Sequence, residues 1–444
     1  MKISISGVRG IAGDSLTPEV CLNFAKAFGA YLKGGCVVIG TDTRSSSEFI
    51  KGIVMQGLLS SGCRIIDLGI VPTPTVGIVV RELKASGGMI ITASHNPPEW
   101  NGLKFIREDG IFLNQKQAEK LIALYESQEF ESQPGGMVKT YARAAELHIK
   151  KVLRVVSPAL IKSRKFKVAL DSVNGAGSLI TPQLLKKLGC KVIPINTSLH
   201  APFPHGAEPT PDNLTELAEV VKKERADIGF AQDPDADRLA IISEKGAAVS
   251  EEYTLALCIK AVLGAKLTGK KVVVTNLSTT RAIEDVTKSL GGVVVRTKIG
   301  EVHVAEEMKS VRAVIGGEGN GGVIYPKVGM NRDSLAGIAL ILMLMAKTGK
   351  TISELLAELP IYHIVKRKLE CLSQAAAEDL IERAKELYKK ETLDLTEGVK
   401  VYFKKSWIHL RASNTEPIIR IIAEAPTREE AEKLAGDLIL RLKA

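Results

Sequence analysis

Asp233, Asp235 and Asp237 alternate along the stretch Asp233-Pro234-Asp235-Ala236-Asp237-Arg238. That spacing sets hard oxygen ligands within a few residues of one another, which suits Mg²⁺ or Ca²⁺ and not zinc. Close carboxylates repel unless a positive charge lies among them, so an acidic surface turn is the weaker reading. An EF-hand fails here. Glu244 falls at the twelfth loop position, but Arg238 stands where that loop needs glycine, and residues 239–242 read as a strand. A second stretch, Thr92-Ala93-Ser94-His95-Asn96-Pro97-Pro98, follows an apolar run at 88–91 that reads as a buried strand. The two prolines stop any helix or central strand from continuing. Ser94 and His95 are therefore held at a strand end, on a loop with few conformations to lose, although turns of this composition are common.

Two further loops carry polar chemistry. In Gly316-Gly317-Glu318-Gly319-Asn320-Gly321-Gly322, glycines surround one acid and one amide. No Lys-Ser/Thr follows, so this is no Walker loop. The glycines admit close backbone approach, and Glu318 and Asn320 offer hydrogen bonds to hydroxyls. The stretch Arg411-Ala412-Ser413-Asn414-Thr415-Glu416-Pro417, with Arg420 beyond it, gathers guanidinium, hydroxyl and amide donors suited to a phosphate. The same residue types also cap helix starts.

The elements that must position these loops recur along the chain. Apolar runs lead into polar loops at Thr41-Asp42-Thr43-Arg44, at Asp171-Ser172-Val173-Asn174 and at Thr275-Asn276-Leu277-Ser278. Each is followed by a helical stretch and a glycine-led second strand, then by a third apolar run that ends at Ser94, Asp233 or Glu318. The period of this degenerate repeat is about a hundred residues, far longer than a solenoid unit. Strands alternating with helical patterns predict βαβ units in mixed or mostly parallel sheets. Ligands collect beyond the carboxyl ends of such strands, so three equivalent strand ends could meet in one cleft. From about Tyr362 the pattern stops, and a smaller α+β domain follows.

A chain of 444 residues, 45% apolar and 25% charged, is long enough for several ordinary globular domains. Its longest apolar run, 335–346, is too short to span a bilayer and predicts a buried core helix. Met1-Lys2-Ile3-Ser4 has neither a basic leader nor a hydrophobic signal segment. The six cysteines, Cys21, Cys36, Cys63, Cys190, Cys258 and Cys371, form no CxxC pair. They read as reduced core residues of a cytoplasmic protein. The net charge of +10 comes from short basic runs such as Lys222-Lys223, Lys270-Lys271 and Lys366-Arg367-Lys368, which read as solvated faces. With 5% aromatics and no aromatic-studded basic motif, a small anionic substrate fits better than nucleic acid.

The four loops, in this order, resemble those of the α-D-phosphohexomutases, which include phosphoglucomutase, phosphomannomutase and phosphoglucosamine mutase. Ser6-Gly7-Val8-Arg9-Gly10 and Asn101-Gly102-Leu103-Lys104-Phe105 add to the resemblance, which covers essentially the whole chain. It implies an α/β fold of three similar mixed-sheet units, 1–152, 153–255 and 256–361, with a C-terminal α+β unit at 362–444, around a central cleft. It further implies that Ser94 is a phosphoserine, with Asp233, Asp235, Asp237 and the Ser94 phosphate holding Mg²⁺. Arg9, His95, Lys104 and Arg238 would be cations at the reacting centre. Lys104 would carry the proton, its affinity for it lowered by the crowd of cations. Glu318 and Asn320 would read sugar hydroxyls, and Arg411, Ser413, Asn414, Thr415 and Arg420 would clamp the phosphate that is not reacting.

The implied reaction moves a phosphate between the 1- and 6-positions of a hexose through a bound bisphosphate, with hexose 1,6-bisphosphate as activator. The chain departs from many family members at Asn320 and Gly322, where a serine and a histidine are usual, and from some at Lys298-Ile299-Gly300-Glu301, which stands in place of a Gly-His pair. The Gly-Glu-Gly-Asn-Gly-Gly variant is most similar to phosphoglucosamine mutases, ahead of enzymes for glucose or mannose phosphates. A metal-dependent phosphohydrolase, a Ser-His-Asp acyl hydrolase and a non-catalytic sugar-phosphate sensor are the other classes. The acyl hydrolase lacks a Gly-x-Ser-x-Gly elbow.

Overall fold

The computed structural model of the chain describes residues 1–5, 7–130, 136–265, 269–412 and 418–443. The recurring apolar runs form three sheets with one shared arrangement. In the first, Cys36–Thr41 lies between Arg64–Ile70 and Gly87–Ile91, all parallel, and Trp100–Arg107 pairs antiparallel with Gly87–Ile91. In the second, Lys167–Asp171 lies between Lys191–Ile195 and Ile228–Gln232, with Leu239–Ser243 antiparallel at the side. The third repeats this with Val272–Asn276, Val293–Thr297, Ile315–Glu318 and Gly322–Ile324. The sequence repeat is thus a structural repeat. Ser94, the three aspartates and Gly319-Asn320 occupy equivalent turns, each joining a third strand to its antiparallel partner.

The first sheet grows to seven strands. One addition, Gly7–Ile11, pairs with Trp100–Arg107 and sets Arg9 opposite Gly102, in the neighbourhood of Lys104. The fourth sheet is wholly antiparallel, with five strands, and the helices Gln374–Leu387 and Arg428–Lys443 pack against it.

The helix Ser334–Thr348 is buried from Ser334 to Ala346, as its apolar run predicts, and Asp333 caps it by accepting Leu335 N–H at 2.9 Å. One apolar cluster runs from the second unit into the third through this helix, and another joins the first to the third. The fourth unit keeps its own apolar cluster. It meets the third through polar bonds. His409 Nδ1 lies 2.9 Å from Ser278 Oγ, Arg281 N–H donates to Glu424 at 3.0 Å, and the buried Lys400 donates to Leu277 O. Lys400 also stacks on Trp407 at 3.9 Å, and burial pushes its ammonium well below the usual lysine range.

All six cysteines are free. Cys21, Cys63 and Cys258 are buried as expected, whereas Cys36, Cys190 and Cys371 are only half-buried, because they lie at the ends of strands or turns and not at their centres. Among the described residues no helix is long and apolar enough to cross a membrane.

Candidate active site

Ser94 is 1% exposed, and its Oγ donates to Asp233 Oδ2 at 2.9 Å, across the boundary between the first two units. Asp233, Asp235 and Asp237 are fully buried, and one carboxylate oxygen from each falls within 4.8 Å of the others. The turn is built for this. Asp233 Oδ1 accepts the N–H groups of Asp237 and Arg238 at 3.1 and 3.0 Å, and Ala236 takes the left-handed conformation that closes it, φ +52°. Thr73, at the start of the helix Thr73–Leu83, donates from its hydroxyl to Asp235 Oδ2 at 2.6 Å.

Burial and the two neighbouring carboxylates push Asp233 well above the usual range. Burial acts on Asp235 in the same sense, but Lys104 and hydrogen bonds from Asp233, Lys104 and Thr73 hold it below. Asp235 Oδ1 and Asp237 Oδ1 are buried with no hydrogen-bond partner. Such oxygens are costly to leave unpaired. Hard, convergent and partly orphaned, the donor set fits a divalent cation of the Mg²⁺ type.

The expected cations are present with two corrections. Lys104 Nζ lies 2.7 Å from Asp235 Oδ2 and 3.8 Å from Asp237 Oδ2, so its nearest partners are carboxylates and not the crowd of cations expected. His95 is no cation: burial first, then Arg238 and Arg9, hold its imidazole down to about 2. Its Nδ1 is 2.9 Å from Arg238 Nη2, which donates to it. Arg238 Nη1 pairs with Glu208 at 2.7 Å, and Arg9 Nη1 donates to Asn96 at 3.3 Å.

A cavity of about 430 Å³ joins Arg238 to Glu318, Asn320, Arg411 and Arg420. Glu318 Oε1 accepts from Asn276 Nδ2 at 2.9 Å and from Gly300 N–H at 3.1 Å. Arg411 and Arg420 face one another on paired strands, so Arg411 ends a strand and does not begin a helix. Ser413, Asn414 and Thr415 lie outside the described residues. Lys366 and Lys368 are exposed, as expected of a solvated face, yet they line this cavity, because their strand forms its outer wall. A larger groove of about 770 Å³, lined by Arg107, Asp109, Glu306 and Lys309, holds none of the residues singled out above.

Sequence reasoning missed Arg332. This buried guanidinium spans the site, with Nη2 2.6 Å from Asp237 Oδ2 and Nη1 2.8 Å from Glu318 Oε2. Its neighbour Asp333 is helix-cap chemistry, and that masked the signal. Glu252 was missed too. Its Oε2 accepts Thr280 N–H at 2.9 Å, and a Cβ added to Gly319 would sit 2.0 Å from that oxygen, so the glycine is what lets the loop lie on the carboxyl.

Burial raises Glu252 from 4.5 to about 8. The folded chain then keeps a proton that the unfolded chain releases, so stability falls as pH rises from 4.5 to about 8 and levels off above. Glu252→Gln removes that slope, worth at most ~1.4 kcal/mol per pH unit. In chemical denaturation at stepped pH, the variant is expected to gain on the parent steadily across the window. A pH-independent gap would show that Glu252 is ionised when folded.

Three like-built α/β units and a fourth of different build converge on a buried serine, an acidic trio fit for a divalent cation and a basic cavity wall, an arrangement suited to metal-assisted phosphoryl transfer on an anionic substrate. The comparisons agree. The phosphoglucomutase/phosphomannomutase alpha/beta/alpha domains I, II and III match residues 1–132, 146–246 and 250–362, and the C-terminal domain matches 365–440. A Thermococcus kodakarensis protein named phosphoglucomutase/phosphomannomutase is 39% identical, covering 96% of this chain and 95% of its own. A Methanopyrus kandleri protein named probable phosphoglucosamine mutase is 37% identical, covering 98% and 96%. The crystal structure of a Burkholderia thailandensis phosphoglucomutase/phosphomannomutase family protein superposes with a TM-score of 0.87 at 25% identity, covering 99% of this chain and 97% of its own. The chain belongs to the phosphoglucomutase/phosphomannomutase family and so to the phosphohexomutases, which are intramolecular phosphotransferases.

Proposed function

We propose that this chain interconverts glucosamine 6-phosphate and glucosamine 1-phosphate through phospho-Ser94, with mannose and glucose phosphates as the alternative substrates. The observation that carries the chemistry is the 2.9 Å approach of Ser94 Oγ to Asp233 inside a buried carboxylate trio. The sugar-loop variant Gly317-Glu318-Gly319-Asn320-Gly321-Gly322, and the relative named probable phosphoglucosamine mutase, support the amino sugar.

In this reading the units 1–152, 153–255, 256–361 and 362–444 each supply one loop. Asp233, Asp235, Asp237 and a phosphate oxygen on Ser94 hold Mg²⁺, which when bound offsets phosphate charge and polarises phosphorus. Arg9 and Arg238 neutralise the moving phosphoryl group, and neutral His95 takes part as a hydrogen-bonding group oriented by Arg238. Lys104, hydrogen-bonded to an acceptor carboxylate, passes on the proton of the attacking hydroxyl. Glu318 and Asn320 hold sugar hydroxyls. Arg411, Ser413, Asn414, Thr415 and Arg420 grip the other phosphate.

The hydroxyl oxygen attacks phosphorus as the bond to Ser94 Oγ breaks, giving a bisphosphate. The bisphosphate turns, and its other phosphate returns to Ser94. Bisphosphate that escapes leaves Ser94 bare, so added hexose 1,6-bisphosphate is the activator. The unpaired thiols suit a cytoplasmic setting.

A panel of glucosamine, glucose and mannose 1-phosphates, each with Mg²⁺ and a trace of hexose bisphosphate, tests the assignment. Highest kcat/KM for the amino sugar is expected. A higher value for another hexose reassigns the substrate, and stoichiometric release of inorganic phosphate would show a hydrolase.

A further inference from the structure

Resting on the reading of Ser94 as phosphoryl carrier, we infer that Arg44 is the positioning residue that holds the nucleophile's loop in its working shape. Ser94 has φ +51°, a left-handed conformation that a residue with a side chain keeps only where its surroundings impose it. The guanidinium of Arg44 imposes it from one side. Its Nη2 donates to Ser94 O at 2.6 Å and to Asn96 O at 2.7 Å, and its Nη1 donates to Pro97 O at 2.5 Å and Trp100 O at 2.9 Å. Four carbonyls of one loop converge on one planar fork, an arrangement the single nitrogen of lysine cannot reproduce.

The fork is itself fixed. Nε donates to Asp42 Oδ2 at 3.1 Å, and Phe203 of the second unit covers the guanidinium face at 5.2 Å. Asp42 Oδ2 also accepts the Thr92 hydroxyl at 2.6 Å, and Thr92 Oγ1 accepts the Ser94 N–H at 2.9 Å. Asp42 thus anchors both jaws: Thr92 takes the N–H of Ser94, and Arg44 takes its carbonyl. Neither jaw touches Oγ, which is left to Asp233 at 2.9 Å and His95 at 3.4 Å.

The test compares the parent with Arg44→Lys and Arg44→Gly. Each protein is treated with Mg²⁺ and glucose 1,6-bisphosphate, and phosphoryl gain at Ser94 is timed by peptide mass spectrometry beside steady-state kinetics and thermal unfolding. For Arg44→Lys, the phosphorylation rate and kcat are expected to fall by about 100-fold, with KM for the sugar phosphate within about threefold of the parent. Free guanidinium ion is expected to restore part of the rate to a folded Arg44→Gly variant, which repair of mere stability would not do. A parent never phosphorylated at Ser94 defeats the mutase reading itself. A parent that is phosphorylated, beside a folded Arg44→Lys that keeps pace with it, overturns the inference about Arg44. If Arg44→Lys does not fold, a folded Arg44→Gly that keeps the parent's phosphorylation rate without guanidinium overturns it instead.

Discussion

Ser94→Ala is expected to lower mutase turnover by at least about 10⁴-fold while sugar-phosphate affinity, measured by calorimetry, stays within about threefold. In the proposed mechanism the removed oxygen is the acceptor and donor of the phosphoryl group, so no partial function would survive as it would after loss of a binding contact. Nor is a stand-in free close by among the described residues. Thr73 Oγ1 is committed to Asp235 Oδ2 at 2.6 Å, and Thr92 Oγ1 to Asp42 at 2.6 Å. The substitution also leaves Asp233 Oδ2 without its buried donor, at a cost of about 1–3 kcal/mol. A folded Ser94→Ala protein that retains full turnover would refute the phosphoserine mechanism outright.

Loss of the divalent cation should be nearly as severe. Chelation, or Asp235→Asn, is expected to reduce kcat on the order of 10³-fold, because Lys104 and Arg332 alone do not supply the charge and the coordination that a divalent cation gives the phosphoryl group. A second readout needs no substrate. A cation bound only by the folded chain raises unfolding free energy by about 2.7 kcal/mol at a hundred times its Kd. Mg²⁺ should therefore raise the thermal midpoint of the parent and have little effect on Asp235→Asn. The orphaned Oδ1 atoms of Asp235 and Asp237 are the physical ground for expecting this. An unfolding curve indifferent to Mg²⁺, with activity unaffected by chelation, would remove the metal from the account.

Much of this site was legible in the chain before any coordinates, because its chemistry sits in contiguous turns. Asp233 to Asp237 announce themselves by spacing, and Ser94 by a proline-stiffened strand end. The threefold repeat was legible for the same reason, each unit spelling the same run of strand, loop and helix. What stayed hidden acts across long separations. Arg332 reaches back to Asp237 at 2.6 Å, and Arg44 grips carbonyls some fifty positions on. A lone arginine beside helix-cap or turn residues looks like surface until its partners are placed. Protonation also misled. His95 reads as a cation from the motif it sits in, but burial first, and then Arg238 and Arg9 folded against it, disfavour its charge.

Among the described residues, Tyr362 at the start of the fourth unit packs against the core shared by the second and third, while the rest of its apolar cluster is its own and its further docking runs through polar bonds of His409, Lys400 and Glu424. Water can replace such polar bonds at little net cost, whereas prising apart the fused cores would expose apolar surface at about 25 cal/mol per Å². Among the four walls, the yielding one is therefore the one that bears Arg411 and Arg420. In the proposed cycle, loosening that single wall would free the captive's far end without unseating the serine or the acids, so that a ring could somersault between its two phosphoryl exchanges and still be caught by the same hand.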